Sequence, residues 1–144
     1  MRIAAQGLAM LAILGMAATA TAADAPDEGE RIYKTICQGC HMSEGQGAVG
    51  AGTYPKLAGN PLVASKQYVA LTVLMGRKGM PSFGMLPGMN EQEARMLANL
   101  TDEQIAAVVN YVRSHFGNDF KDKVTTKEVN ELPHPGGKGA AHAG

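Results

Sequence analysis

Both cysteines of this 144-residue chain lie in one pentapeptide, Cys37-Gln38-Gly39-Cys40-His41. Two thiols separated by two residues can each add across one vinyl group of a haem, and a histidine that follows directly can bind the iron. The motif therefore predicts one covalent haem c, with Cys37 and Cys40 as its thioether attachments and His41 as the proximal ligand. A chain that holds a haem on so short a segment must build its core around that group.

Two other uses of this spacing fit the sequence less well. A thioredoxin-like redox pair follows a strand in a βαβ unit, and no apolar strand run precedes Cys37. A structural zinc site would need two more ligands at comparable spacing, but no cysteine is left over and the other histidines lie far along the chain, at positions 115, 134 and 142. Covalent attachment of haem is therefore the favoured interpretation.

The first 22 residues are predicted to be a signal peptide (residues 1–22). Arg2 gives it a positive start, residues 7–18 are apolar, and Ala20-Thr21-Ala22 has the small side chains of a cleavage site. We expect cleavage near Ala22/Ala23, export to the periplasm and no stable membrane insertion. An uncleaved membrane anchor is the alternative, although the apolar stretch is short for a bilayer span.

The remaining chain predicts one all-α domain at residues 24–120 and a disordered tail at residues 121–144. Basic and acidic side chains number 13 each and form no clustered basic face, so nothing indicates a nucleic-acid partner. Helix signals predict a first helix from Asp24 to Ile36, one opened by Asn60-Pro61, a short one opened by Asn90 and packed down by Met96 and Leu97, and a last one from Thr101 to Gly117.

Met80 is the predicted second ligand of the iron. A thioether opposite histidine raises the reduction potential of a haem and favours electron transfer, and Pro81 holds the residue before it in an extended conformation. Methionine is often only a core filler. Met85 and Met89 lie close by in sequence and remain alternative ligands.

In this order, the attachment motif, Tyr54-Pro55-Lys56-Leu57-Ala58-Gly59, Met80-Pro81-Ser82-Phe83 and the terminal helix resemble a small bacterial class I cytochrome c over about 95 residues. The wording around Pro55 is most similar to cytochrome subunits or domains that serve periplasmic dehydrogenases. The resemblance implies the small cytochrome c fold, with crossing N- and C-terminal helices and the haem in the core. It also implies that the Pro55 carbonyl accepts a hydrogen bond from the His41 ring, and that Gly29 crosses Tyr111.

The resemblance further implies an electron-transfer protein of the respiratory chain and not an enzyme. A periplasmic dehydrogenase would donate electrons to the haem iron, and a cytochrome or terminal oxidase would accept them. Two alternatives remain open: a haem subunit fixed in a larger oxidoreductase complex, and a haem protein with a labile methionine ligand that reacts with gases or peroxide.

Overall fold

The computed structural model of the protein describes residues 27–50 and 52–137. The predicted signal peptide and the expected helix start at Asp24 lie outside these residues. Asp27 is the cap that the structure shows, since its side chain accepts a hydrogen bond from the Gly29 N–H at 3.4 Å.

The secondary structure is mostly helical, as predicted. One helical segment consists of α1 (Glu28–Ile32), a π-helical turn (Tyr33–Cys37) and α2 (Gln38–His41). A small antiparallel hairpin follows, formed by β1 (Ala48–Val49) and β2 (Thr53–Tyr54), with Ala48 opposite Tyr54. The other elements, in chain order, are a 3₁₀ turn (Pro61–Ala64), α3 (Lys66–Met75), α4 (Glu91–Met96), α5 (Asp102–Ser114) and α6 (Thr126–Asn130).

The helix expected to begin at Asn60 is divided in two. Asn60 caps only the short 3₁₀ turn, by accepting a hydrogen bond from the Leu62 N–H at 2.9 Å. Ser65 then caps α3 through the Tyr68 N–H. The extended backbone at Ser65 separates the two elements, and α3 ends at Gly76, where φ is 72°.

The predicted capping boxes at Asn90 and Thr101 are both present and start α4 and α5. The packing predicted for α4 is wrong, however. Met96 is 79% exposed and Leu97 is 66% exposed, and the residue that α4 buries is Ala94. In a helix of six residues only one narrow side can face the core, and here that side carries the small residue.

Helices α1 and α5 cross closely, as the resemblance implied for the N- and C-terminal helices of the domain. A Cβ atom placed on Gly29 would lie 2.4 Å from the Ala107 carbonyl oxygen and 2.8 Å from Tyr111 Cβ, so the two backbones meet where Gly29 has no side chain. The rings of Tyr33 and Tyr111 pack beside this contact, 5.7 Å apart. The best-buried side chains of the core surround it and extend into α3 and α6: Ile32, Leu74, Ile105, Val108, Val109 and Val129.

The expectation of a disordered tail is corrected for residues 121–137. This part of the chain contains α6 and packs on α5, with Val124 only 3% exposed and Val129 fully buried. Its composition is polar enough to suggest disorder, but two well-placed valines and polar partners on α5 hold it. Residues 138–144 lie outside the described part of the chain. None of the helices described is long and apolar enough to cross a membrane.

Candidate cofactor site

A large cavity lies between α3, α5, the end of α2 and the loop after β2. It encloses about 870 Å³ including its opening to solvent, which is within the range of small-molecule and cofactor sites. His41, Pro55 and Met80 line it together with Cys37. Its walls are mainly branched aliphatic side chains from α3, α5 and the 3₁₀ turn: Val63, Val69, Val73, Val108, Val109 and Val112.

His41 is the last residue of α2 and is only 7% exposed. Its Nδ1 atom lies 2.9 Å from the Pro55 carbonyl oxygen, which has no proton to donate. The imidazole must therefore carry its proton on Nδ1 and donate it to Pro55. This leaves the lone pair on Nε2, as is needed for a neutral histidine to bind a metal.

Cys37 and Cys40 open onto the same mouth of the site. Both line a second pocket that also includes His41, Pro55 and Met80. Burial raises the pKa of the Cys37 thiol to about 11, and the neighbouring Cys40 adds to the effect. A redox-active dithiol needs a thiol with a lowered pKa, so this environment argues against a thioredoxin-like pair.

Met80 is presented by a tight turn after α3. Arg77 and Met80 exchange both backbone hydrogen bonds at 3.0 Å, and Lys78 between them has φ 53°. The following residues are tied back to α3, because the Ser82 hydroxyl donates to the Leu74 carbonyl at 2.6 Å and the Phe83 N–H donates to Val73 at 3.0 Å. The Met80 backbone is thereby fixed at the cavity.

The alternative ligands lie elsewhere. Neither Met85 nor Met89 lines either pocket. His115 stacks on the Tyr111 ring at 4.0 Å, and His134 pairs with Asp102, so neither histidine faces the cavity. No cluster of three histidine, cysteine or carboxylate side chains suited to a metal ion occurs in the residues described. His142 is outside them.

The residues present fit a covalently bound haem. Two thiols stand at the mouth, an imidazole with its lone pair on Nε2 and a thioether line one cavity, and the walls are apolar. Thiols can form the attachment, and imidazole with thioether is a known axial pair for haem iron.

Two buried polar residues near the site were not predicted. The Asn118 amide donates to the Leu57 carbonyl at 3.1 Å and to Val112 at 2.9 Å, which joins the loop after Pro55 to α5. Arg113 is 1% exposed and donates to the carbonyls of Val63 and Ala64. No local pattern marks either residue, because both act through contacts distant in sequence.

The charge distribution along the chain was also missed, although the sequence contains it. All 13 acidic residues lie outside positions 45–90, and this interval carries four basic ones: Lys56, Lys66, Arg77 and Lys78. Most of the residues that line the cavity come from the same interval. The acidic Glu28, Glu91 and Glu103 line a separate polar pocket beside α4 and the start of α5.

The fold and the site together define an α-helical haem protein with one covalent attachment motif. The model of the cytochrome c family matches residues 26–116, and the chain belongs to that family. Its cofactor is accordingly haem c, and its activity is electron transfer.

The chain is similar to cytochrome subunits of several dehydrogenases and to a cytochrome c-552. It is 38% identical to the fructose dehydrogenase cytochrome subunit of Gluconobacter japonicus over 101 residues, which is 63% of this chain and 19% of that protein. It is 31% identical to the cytochrome c subunit of a quinone alcohol dehydrogenase from Gluconacetobacter polyoxogenes, over 84% of this chain and 25% of that subunit. Cytochrome c-552 of Thermus thermophilus is 35% identical over 73% of this chain and 83% of its own length. The chain thus spans a quarter or less of the dehydrogenase subunits it matches.

Proposed function

We propose that this protein is a periplasmic electron carrier with one haem c, held by Cys37 and Cys40 and ligated by His41 and Met80. The observation that carries the proposal is that both axial candidates line one apolar cavity whose mouth holds both thiols. On attachment, each S–H adds across a vinyl C=C, so a C–S bond forms and the proton ends on the neighbouring carbon.

The haem supplies reversible one-electron chemistry between ferric and ferrous iron. The protein's part is to keep the site unchanged between the two states. Pro55 holds the His41 ring in one orientation through the 2.9 Å hydrogen bond, and the hydrogen bonds to α3 hold the Met80 segment. With the His41 imidazole and the Met80 thioether both bound to the iron and the walls apolar, little reorganisation would accompany each electron and no position would be left for a substrate.

The proposed donor is a periplasmic dehydrogenase, and the acceptor is a cytochrome or terminal oxidase. The names of the relatives support the donor, since several are cytochrome subunits of fructose, alcohol and gluconate dehydrogenases. The same names support a second candidate, a haem subunit that stays in such a complex. Size-exclusion chromatography of a periplasmic extract separates the two, because a carrier elutes as a small free protein.

The cofactor is tested by intact mass and extraction. We expect the mass of the mature protein to exceed that of the polypeptide by one haem, and the colour to stay with the protein in acidic acetone. Cys37→Ala and Cys40→Ala should each leave a single thioether bond. Transfer of the colour into the organic phase from the wild type would refute covalent attachment.

The axial ligand is tested with Met80→Ala. We expect the thioether-to-iron absorption of the ferric protein to disappear, the reduction potential to fall and the ferrous protein to bind CO, because a soft ligand that favours the ferrous state is lost. Met85→Ala is the matched control and should change none of these. The reverse pattern would show that the ligand is Met85.

A further inference from the structure

The C-terminal strap, residues 119–137, begins after the end of the family match at residue 116 and packs back across the domain. It is joined first to α5. The Asn110 amide donates to the Val124 carbonyl and accepts from the Val124 N–H, each at 2.9 Å. Arg113 donates to the Asp122 carboxylate at 2.8 Å.

The middle of the strap is α6, which attaches it to the core and to α3. Val129 is fully buried in the core, and Glu128 forms an ion pair of 2.8 Å with Lys66 at the start of α3. Beyond α6, His134 lies 2.8 Å from the Asp102 carboxylate at the start of α5. These contacts fix the path of the chain up to its next residue, Pro135.

Pro135 is buried against the segment that carries Met80. A Cβ atom placed on Gly84 would lie 2.9 Å from Pro135 Cδ and 3.0 Å from Leu74 Cδ2. Gly84 therefore lies close to Leu74 of α3 and to Pro135 of the strap, with no room for a side chain between them.

The hydrogen bonds that join the Met80 segment to α3 end at Gly84. Its N–H donates to the Leu74 carbonyl at 3.1 Å, next to the bond from Phe83 to Val73. For Met80 to withdraw from the cavity with its segment, residues 82–84 must separate from α3. Pro135 packs against Gly84, so that separation would also disturb this contact.

We propose that the C-terminal strap, acting through Pro135, is a positioning element that keeps Met80 at the iron and limits entry of a competing ligand. The proposal rests on Met80 being the axial ligand, as given under the proposed function. Pro135 lines neither pocket at the cofactor site, so its effect would pass through Gly84.

The first experiment compares two C-terminally truncated variants, each with its haem bound. One variant stops after Leu132 and lacks Pro135, and the other stops after Gly137 and keeps the strap. We expect CO to bind the ferrous form roughly three to ten times faster in the shorter variant. Loss of the packed side chain should shift the equilibrium between attached and detached Met80 toward the detached state, which CO can enter. The longer variant should bind CO at the wild-type rate. Equal rates in the two variants would overturn the proposal.

The second experiment uses Pro135→Ala, with the exposed Pro133→Ala as its matched control. Each ferric protein is heated while the thioether-to-iron absorption and the helical circular dichroism are both followed. A positioning role predicts that Pro135→Ala loses the absorption at a lower temperature while its helices melt with those of the control. If absorption and helices shift together, Pro135 is merely part of the general packing and the proposal is wrong.

The two proposals can fail separately. A wild type without the thioether-to-iron absorption, or a Met80→Ala variant that retains it, refutes the ligand assignment and the strap proposal with it. A normal response of Met80→Ala, combined with identical behaviour of the two proline variants, refutes the strap proposal alone.

Discussion

Gly76 shows how a single residue determines where Met80 lies. It ends α3 with φ 72°, and a Cβ atom on it would lie 2.6 Å from the Met80 carbonyl oxygen and 2.7 Å from the Pro81 carbonyl carbon. Only glycine combines this backbone conformation with so close an approach. The turn that carries Met80 is therefore positioned by the lack of a side chain at Gly76 as much as by its hydrogen bonds.

Gly29 is expected to tolerate no added methyl group. In Gly29→Ala the new Cβ would overlap the backbone of Ala107, which cannot move without shifting α5. We expect the free energy of unfolding of the holoprotein to fall by about 1 to 3 kcal/mol, the usual cost of overpacking. Denaturant unfolding followed by circular dichroism measures it.

The control for Gly29 is Gly39→Ala in α2, since no atom lies within 4 Å of the Cβ position at Gly39. Alanine at a helical position with open space should stabilise by up to about 1 kcal/mol. A Gly29→Ala protein as stable as the Gly39→Ala protein would contradict the close crossing.

Helix α4 is joined to the segment that carries Met80 by hydrogen bonds from the residues that follow the helix. The Asn99 amide donates to the Gly84 carbonyl at 2.7 Å, and the Leu100 N–H donates to Phe83 at 2.7 Å. The helix itself borders the polar pocket with Glu28 and lines neither of the pockets at the cofactor site. Its exposed Met96 and Leu97 thus belong to a surface separate from the cavity mouth.

Replacement of residues 90–97 by a short Gly/Ser link should leave the axial ligand in place. Asn99 and Leu100 are retained, so their hydrogen bonds to Gly84 and Phe83 persist. Pro87 is retained as well, and Gly136 of the strap lies against it, since a Cβ atom on Gly136 would be 3.0 Å from Pro87 Cδ. We expect the ferric absorption from the thioether to match the wild type, while the free energy of unfolding falls because Ala94 and the capping box are lost. An absorption lost as fully as in Met80→Ala would show that α4 supports the ligand directly.

The elements that could be predicted from sequence are those whose signal is local. Asn90 and Thr101 start their helices because a cap and its partner lie three residues apart. The strap could not be predicted in this way, since Val124 and Val129 are anchored by Asn110 and by α3 far along the chain. The burial of Ala94 instead of Met96 likewise depends on the rotation of a short helix on its neighbours.

The same distinction between local signals and contacts of distant segments applies to the site. Cys37, Cys40 and His41 could be proposed from sequence because covalent attachment requires a fixed local spacing, and the Pro81 context favoured Met80. The contributions of Gly76, Asn118 and Pro135 depend on how distant segments pack, and one sequence gives no sign of that packing.

At the scale of the whole molecule, stability should depend on the protonation of His134. Burial acts to lower the pKa of this imidazole, but hydrogen bonds to Asp102 and to the Leu132 carbonyl outweigh it and raise the pKa above its usual value. A raised pKa in the folded state stabilises the fold at low pH, and the contribution is lost as the pH rises through that pKa.

We therefore expect His134→Gln to destabilise the protein by about 0.5 kcal/mol at about pH 5.5 and by less at about pH 8.5, on the scale of a partly exposed ion pair. Denaturant unfolding at the two pH values measures the difference from the wild type. Pro133→Ala, at the exposed neighbouring position, is the control and should show no such dependence. A loss in His134→Gln that grows with pH would contradict the assigned ion pair.

Electron transfer with small charged reagents should depend on salt. Arg77 and Lys78 are exposed beside the cavity mouth, so an anionic oxidant such as ferricyanide should react more slowly as ionic strength rises past about 0.1 M, where the Debye length is about 10 Å. Lys78→Gln should weaken this dependence, and Lys127→Gln on α6 should not. An equal effect of the two substitutions would mean that net charge alone sets the rate.

The absence of acidic residues from positions 45–90 should also affect how the protein approaches a charged surface. Charges of opposite sign grouped at different parts of a neutral molecule form an electric dipole, and a dipole in a non-uniform field feels a torque as well as a pull. Near a negatively charged surface we therefore expect the side that carries Arg77 and Lys78, beside the cavity, to turn inward before contact. Fewer encounters are then spent in orientations from which no electron can pass.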